Sequence, residues 1–190
     1  MALRISSRAW RLTTYGIVGA GAAFLLASVI LTSYINTISP DGILIHHSAV
    51  PPIPGKEIDA ELLDGIFRNR GYNDFYWGQI YHIAYHYVIT PDGAVLKTRP
   101  EHLRAPEPAQ HNSYIGICLI GNFSSADNPD GTRGLTSPTN AQMNSLVALT
   151  HALQARYRIP TTRVKLHGEV AHTACPGDRF PASNFRARLQ

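Results

Sequence analysis

The chain has 190 residues, enough for one domain and short for two. Its 44% hydrophobic and 16% charged residues exclude a disordered polymer, and two cysteines are too few for a disulfide scaffold. The net charge of +4 gives no support to a nucleic-acid partner, because Arg4, Arg8 and Arg11 carry most of it and the later basic and acidic residues nearly balance.

Residues 1–40 hold those three arginines and no Asp or Glu. No residue from Leu12 to Pro40 is charged, and Tyr15–Ile35 is almost wholly apolar or small. About 20 residues rising ~1.5 Å each cross a hydrocarbon core of ~30 Å, so this stretch predicts one transmembrane helix at about 15–35. It exceeds the ~7–15 apolar residues of a usual signal peptide, and Leu31-Thr32-Ser33-Tyr34-Ile35-Asn36 makes a poor cleavage site. An uncleaved anchor is therefore preferred to a cleaved signal. The glycines and alanines between Gly16 and Ala23 fit helix packing through small residues, or a weak span able to leave the membrane. The arginines predict a cytoplasmic N-terminus, with a single-pass topology that puts residues 41–190 outside the cytoplasm.

Those residues read as one alternating α/β domain. Gly42–His47 is a short apolar run and predicts a buried strand, which Pro51–Gly55 breaks into a loop. Asp59 caps a predicted helix through about Arg70, with Leu62, Leu63, Ile66 and Phe67 inward and Gly71 as its stop. Ala84–Thr90 and Ala94–Thr98 flank Pro91-Asp92-Gly93 as a hairpin. Tyr114–Gly121 is a second core strand, and Asn122–Pro138 is a polar loop. Ser137-Pro138 opens a helix in N-cap and N1 order, with Met143, Leu146, Val147, Thr150, Leu153 and Tyr157 inward. Ile159-Pro160 ends it, and Arg163–Leu166 is a last short strand.

Chemistry concentrates at three strand ends: Ile45-His46-His47-Ser48, Ala84-Tyr85-His86-Tyr87, and the run from His167 to Gly177. A His and a Cys on one loop, with a distant His on a neighbouring strand, supply three ligands suited to Zn²⁺ and leave a fourth position for water. Bound zinc lowers the pKa of that water to ~7.

Four segments in order, IHHSA, AYHYVITPDGAV, SYIGICLIGNF and HGEVAHTACPGDRFP, resemble the zinc N-acetylmuramoyl-L-alanine amidases. That group includes phage T7 lysozyme-type amidases and peptidoglycan recognition proteins. The resemblance covers about residues 42–181. It implies a central mixed β-sheet flanked by helices, with a zinc groove. It also implies hydrolysis of the amide between N-acetylmuramic acid and L-alanine in peptidoglycan, as wall remodelling or lysis. By the same resemblance His46, His167 and Cys175 are the zinc ligands, and Tyr85 sits by the reacting water and carbonyl. Thr173 occupies a position that is lysine in T7-type enzymes and can be threonine in recognition amidases. The implied partners are peptidoglycan and, through the N-terminal helix, the membrane, with no nucleic acid. The alternative is a non-catalytic peptidoglycan-binding protein; possession of Cys175 favours the enzyme.

Other residues have plainer readings. His47 and His86 are expected to pack or hydrogen-bond rather than bind metal, and His82, His102 and His151 to be surface or helix residues. His111 and Asn112 are candidates to line the substrate groove, with loop closure the competing role. Cys118 reads as a small core residue, against the alternative of a Cys118–Cys175 disulfide. Glu169 and His172 share the ligand loop, but the resemblance gives neither a role.

Overall fold

The computed structural model describes residues 7–53, 55–56 and 58–190; the side chains of residues 7–14 and 16 are outside that description. Arg4 and the side chains of Arg8 and Arg11, on which the predicted orientation rests, therefore lie outside the described residues. Most of the uncharged N-terminal stretch lies in helix α1 (Ser7–Asn36), whose segment Ile17–Asn36 is long and apolar enough to cross a membrane or serve as a signal sequence. Its apolar side chains from Ile17 to Leu31 are mostly exposed.

Strand β1 (Gly42–His47) has all six residues buried, as a central strand covered on both faces requires. Helix α2 (Ala60–Asn69) follows, its first turn capped by the Asp59 carboxylate accepting from Leu62 N at 2.8 Å. Next come a small hairpin, β2 (Asp74–Tyr76) and β3 (Gln79–Tyr81), then β4 (Tyr87–Ile89), β5 (Val95–Lys97) and β6 (Tyr114–Leu119). Helix α3 (Asn140–Tyr157), β7 (Val164–Leu166) and α4 (Ala182–Ala187) complete the order. The main sheet runs β5-β4-β6-β1-β7 and is mixed: only the β4–β5 pair is antiparallel. The domain thus has the alternating α/β order read from the residues and the central mixed sheet with flanking helices that the family resemblance implies.

Strand alternation divides the core in two. Ile43, Ile45, Ile115, Ile117 and Leu119 face Met143, Leu146, Val147 and Leu153 of α3 and Phe185 of α4. On the opposite face, Cys118 and Val88 pack with Leu63 and Phe67 of α2. Full burial of each such aliphatic or aromatic side chain contributes about 1.5–3 kcal/mol, so both helices are held by their apolar stripes.

Several predicted boundaries shift, for identifiable reasons. Helix α3 is capped by Thr139 rather than Ser137, because Thr139 and Gln142 form a reciprocal capping box. The buried Gln142 amide also donates to Ile89 O and Ile120 O, fastening the helix start to the ends of β4 and β6. Strand β4 begins at Tyr87, not Ala84, because Arg99 donates to the carbonyls of Ile83 and Ala84 and withdraws them from strand pairing. Leu62 and Ile66 are only half-buried and line a surface cavity of about 550 Å³ along α2. Tyr157 is likewise half-buried, its hydroxyl bonded to Glu101. The β2–β3 hairpin was not predicted; three-residue strands are too short to show alternation.

His86 is fully buried between strands. Its Nδ1 accepts from Gly116 N at 3.0 Å, which leaves Nε2–H to donate to Leu103 O at 2.8 Å. Only the neutral ring satisfies both bonds. Burial, reinforced by the nearby Arg99 charge, lowers its pKa to about 3. The unfolded ring takes a proton below its ordinary 6.5 while the folded ring does not, so this group removes stability as pH falls from about 6.5 towards 3. The limiting slope is about 1.4 kcal/mol per pH unit. Urea unfolding at pH 7 and pH 5 should show a smaller stability loss for His86→Gln than for the parent; equal losses would refute a buried neutral His86.

Candidate active site

The register of three parallel strands builds the site. Ile45 pairs with Leu166 of β7, so the next residue of each strand, His46 and His167, emerges at the same sheet end. His167 starts a short 3₁₀ turn (His167–Glu169), and the loop returns to Cys175, where Gly168 N donates to Cys175 O at 2.7 Å. His47 N donates to Cys175 Sγ at 3.4 Å. One ligand atom from each of His46, His167 and Cys175 lies within 4.8 Å of the others. The His46 Nδ1 to Cys175 Sγ distance is 3.7 Å. Tetrahedral zinc with Zn–N ~2.0–2.1 Å and Zn–S ~2.3 Å needs about 3.6 Å between these atoms. The donor chemistry and the spacing therefore fit zinc.

Beneath this cluster lies a carboxylate that the sequence did not single out. Glu107 Oε1 is 2.9 Å from His46 Nε2, and both side chains are buried. The contact is close but poorly aligned, leaving His46 Nε2 without a well-formed hydrogen bond. Gly116 makes room for it: a Cβ there would meet Glu107 Oε1 at 3.0 Å. Pro106 and Pro108 flank Glu107 and restrict its backbone. Nothing in that spacing signals a site, since the contact crosses 61 positions of chain, from 46 to 107.

Burial alone would push His46 down, but the Cys175 thiol and the Glu107 carboxylate outweigh it and raise it to about 9. Burial would raise Cys175, yet the bonds from His167 and His46 bring it down to about 7. Glu107, although desolvated, is held below the ordinary carboxylate range by His46. The cluster thus surrounds a protonated His46 with a thiol inclined to ionise and an ionised carboxylate, and a bound cation would take the place of the His46 proton.

Tyr85 packs against His46 with ring centroids 5.0 Å apart and edge-on against Phe67 at 5.5 Å. Burial, then the neighbouring thiols and Glu107, raises its pKa well above the ordinary value, so it remains a neutral O–H donor. Thr173 is exposed on the ligand loop, its hydroxyl accepting from Cys175 N at 3.3 Å. His111 and Asn112 are not part of this cluster. His111 stacks edge-on against Tyr114, whose partner Gly42 lies four residues before His46, about 13 Å along a strand. His47 turns to the opposite face and accepts from Phe123 N at 3.0 Å. Both cysteines are free; Cys118 is buried beside α2, with no disulfide to Cys175. Glu169 instead closes its own turn by accepting from Leu166 N and pairs with Arg186, while His172 is exposed.

A mixed sheet with a His–His–Cys cluster at its strand ends defines a class, and the comparisons identify it. The family model described as N-acetylmuramoyl-L-alanine amidase matches residues 36–178, and the chain belongs to that family. It is 31% identical to the amidase LysC from Clostridium intestinale URNW, covering 80% of this chain and 86% of that one, with a TM-score of 0.62. It is 28% identical to the Ph2119 endolysin of a Thermus scotoductus MAT2119 bacteriophage, covering 79% and 84%, with a TM-score of 0.55. Drosophila peptidoglycan recognition protein SD shares the fold at 18% identity, covering 78% and 83%, with a TM-score of 0.59. No curated protein sequence gives a significant match.

Cys175→Ser should abolish stoichiometric zinc binding measured by metal analysis after dialysis. Glu107→Gln should retain zinc but weaken its affinity by roughly 10–100-fold in chelator competition, the usual effect of losing a carboxylate behind a ligating histidine. Parent-like affinity would remove Glu107 from the site.

Proposed function

We propose that this protein is a zinc-dependent hydrolase that cleaves the amide between the lactyl group of N-acetylmuramic acid and L-alanine in peptidoglycan, with α1 anchoring it to the membrane and the domain outside the cytoplasm. The observation that carries the reading is the convergence of His46, His167 and Cys175 at one sheet end. His46 through Nδ1, His167 and Cys175 would hold the metal, with Glu107 against the far nitrogen of His46. Zinc, when bound, supplies Lewis-acid polarisation of the scissile carbonyl and acidifies water.

The remaining chemistry belongs to the chain's own side chains. Tyr85 stays protonated and its ring sits against His46; its hydroxyl, which also lies against the Cys118 thiol, would donate to the carbonyl oxygen as negative charge develops there. The Thr173 oxygen accepts from Cys175 N, which fixes the hydroxyl on the rim and leaves its own proton free for a second bond to that oxygen. The buried floor of Glu107, His46 and Phe67 keeps water from the ligand backs.

Several relatives support the substrate class. LysC is described as an N-acetylmuramoyl-L-alanine amidase. A Drosophila PGRP-LB mutant was solved in complex with tracheal cytotoxin. The competing reading is a protein that binds peptidoglycan without cutting it; the complete donor set with Tyr85 favours the hydrolase.

Purified peptidoglycan incubated with the protein should release stem peptides beginning with L-alanine by mass spectrometry, with release lost on chelation and restored by Zn²⁺. Intact glycopeptides from zinc-loaded protein would leave only the binding role. Tyr85→Phe should lower kcat by roughly 10²–10³, the range for removing one oxyanion donor, at unchanged zinc content. A parent-like kcat would remove Tyr85 from the mechanism.

A further inference from the structure

The β2–β3 hairpin is built onto the end of α1. Trp77 N donates to Ser33 Oγ at 2.8 Å, Asn36 Nδ2 donates to Phe75 O at 3.1 Å, and the hairpin contact leaves Ser33 fully buried. The turn is Trp77-Gly78, with φ of 46° and 84°. Left-handed backbone at both turn positions calls for Asn-Gly or Asp-Gly; a bulky residue at the first is an outlier. That outlier displays its ring: Trp77 is 61% exposed and Ile80, on the next strand, 53%. Tyr34 and Ile35, in the same last turn of α1 as Ser33, are 78% and 56% exposed, so the helix end and the hairpin fastened to it both carry exposed apolar side chains.

Depth along the helix decides what covers this patch. Ser33 precedes the end of the apolar segment, Asn36, by three residues, or about 4.5 Å of helix rise. A span of 20 residues reaches about the ~30 Å thickness of the hydrocarbon core, so the Trp77 backbone lies at its edge. That level is where tryptophan and tyrosine are favoured, with an apolar ring body towards the chains and a polar edge towards the headgroups.

We propose that the hairpin is a membrane-surface contact: Trp77 and Ile80 enter the interfacial layer of the bilayer beside the end of α1 and set the orientation of the domain on the membrane. The proposal rests on reading α1 as a membrane span. It also links the membrane to the site, because Asp74 of the hairpin pairs with the buried Arg99 guanidinium at 2.8 Å, and Arg99 donates to Ile83 O at 3.0 Å, two residues before Tyr85. The hairpin, the helix end and the backbone carrying Tyr85 thus form one connected unit.

The chain has two tryptophans, so Trp10→Phe leaves Trp77 as the sole tryptophan in the otherwise unaltered 190-residue chain, read by tryptophan-selective excitation. This variant is reconstituted in phosphatidylcholine–phosphatidylglycerol vesicles carrying lipids brominated either near the headgroup or near the chain end. The readout is independent of insertion direction, because both leaflets hold the quencher. The expected result is a loss of Trp77 emission that is larger with bromine near the headgroup, together with retention of the protein through an alkaline carbonate wash. Retention with emission unchanged by either lipid would overturn the hairpin contact while leaving the anchor intact. Release by carbonate would show that the anchor reading has failed, and the hairpin contact with it. Emission that responds to soluble muropeptides but not to brominated lipid would assign the patch to the glycan and also overturn the proposal.

Discussion

Parallel pairing of β1 with β7 is the constraint on which the site depends. Because Ile45 and Leu166 are partners, His46 and His167 leave the sheet side by side, 121 positions apart in the chain. The ends of parallel strands form a natural crevice for chemistry, since the chain must turn away there into loops. A slip of one residue in β1 would turn His46 to the α3 face and His47 towards the ligands. The two hydrophobic faces prevent that slip: Ile43 and Ile45 fit the α3 side, while Leu63 and Phe67 of α2 cover the side that carries His46.

The second constraint is electrostatic. A desolvated histidine, thiol and carboxylate are each costly alone, and they persist because each lies against a partner. His46 lies between Cys175 Sγ and Glu107 Oε1, so one ring joins the ligand loop to the Glu107 loop. Tyr85 is excluded from this charge exchange by its burial and remains a neutral donor. The same logic explains the histidines that do not serve the cluster. His47 and His86 are kept neutral, with pKa values lowered to about 4 and about 3, chiefly by burial; Nδ1 of His47 and both ring nitrogens of His86 are spent on backbone groups.

The N-terminal helix is joined to the domain by more than the chain. Its last turn donates to and accepts from the β2–β3 hairpin, and Arg104 N donates to Asn36 O at 2.8 Å. A helix so fastened cannot swing freely, so the anchor we propose would hold the His46–His167–Cys175 cluster at a defined height above the bilayer. For the anchored hydrolase we propose, such a geometry would limit reach into the wall to the peptidoglycan nearest the membrane. Arg99, fully buried and paired with Asp74, carries that rigidity from the hairpin to the segment before Tyr85.

The sequence by itself determined the features that are local or carried by an ordered set of motifs. These are the apolar N-terminal helix, the buried strands at Gly42–His47 and Tyr114–Leu119, the Asp59-capped helix, the stripe of α3 and the family. Each is written in consecutive residues or in a short period, so composition and spacing expose it. The tertiary structure alone decided which groups meet. Glu107 reaches His46 of β1 only because its loop packs against the neighbouring β6 at Gly116, and His111 and Asn112 fall a strand length away because β6 runs parallel to β1. The hairpin at Trp77 was hidden for a related reason: its strands are too short to show a period, and it is held by bonds to a helix some forty residues earlier. Contacts between segments distant in the chain are settled by packing, and packing leaves no periodic mark in the residues it brings together.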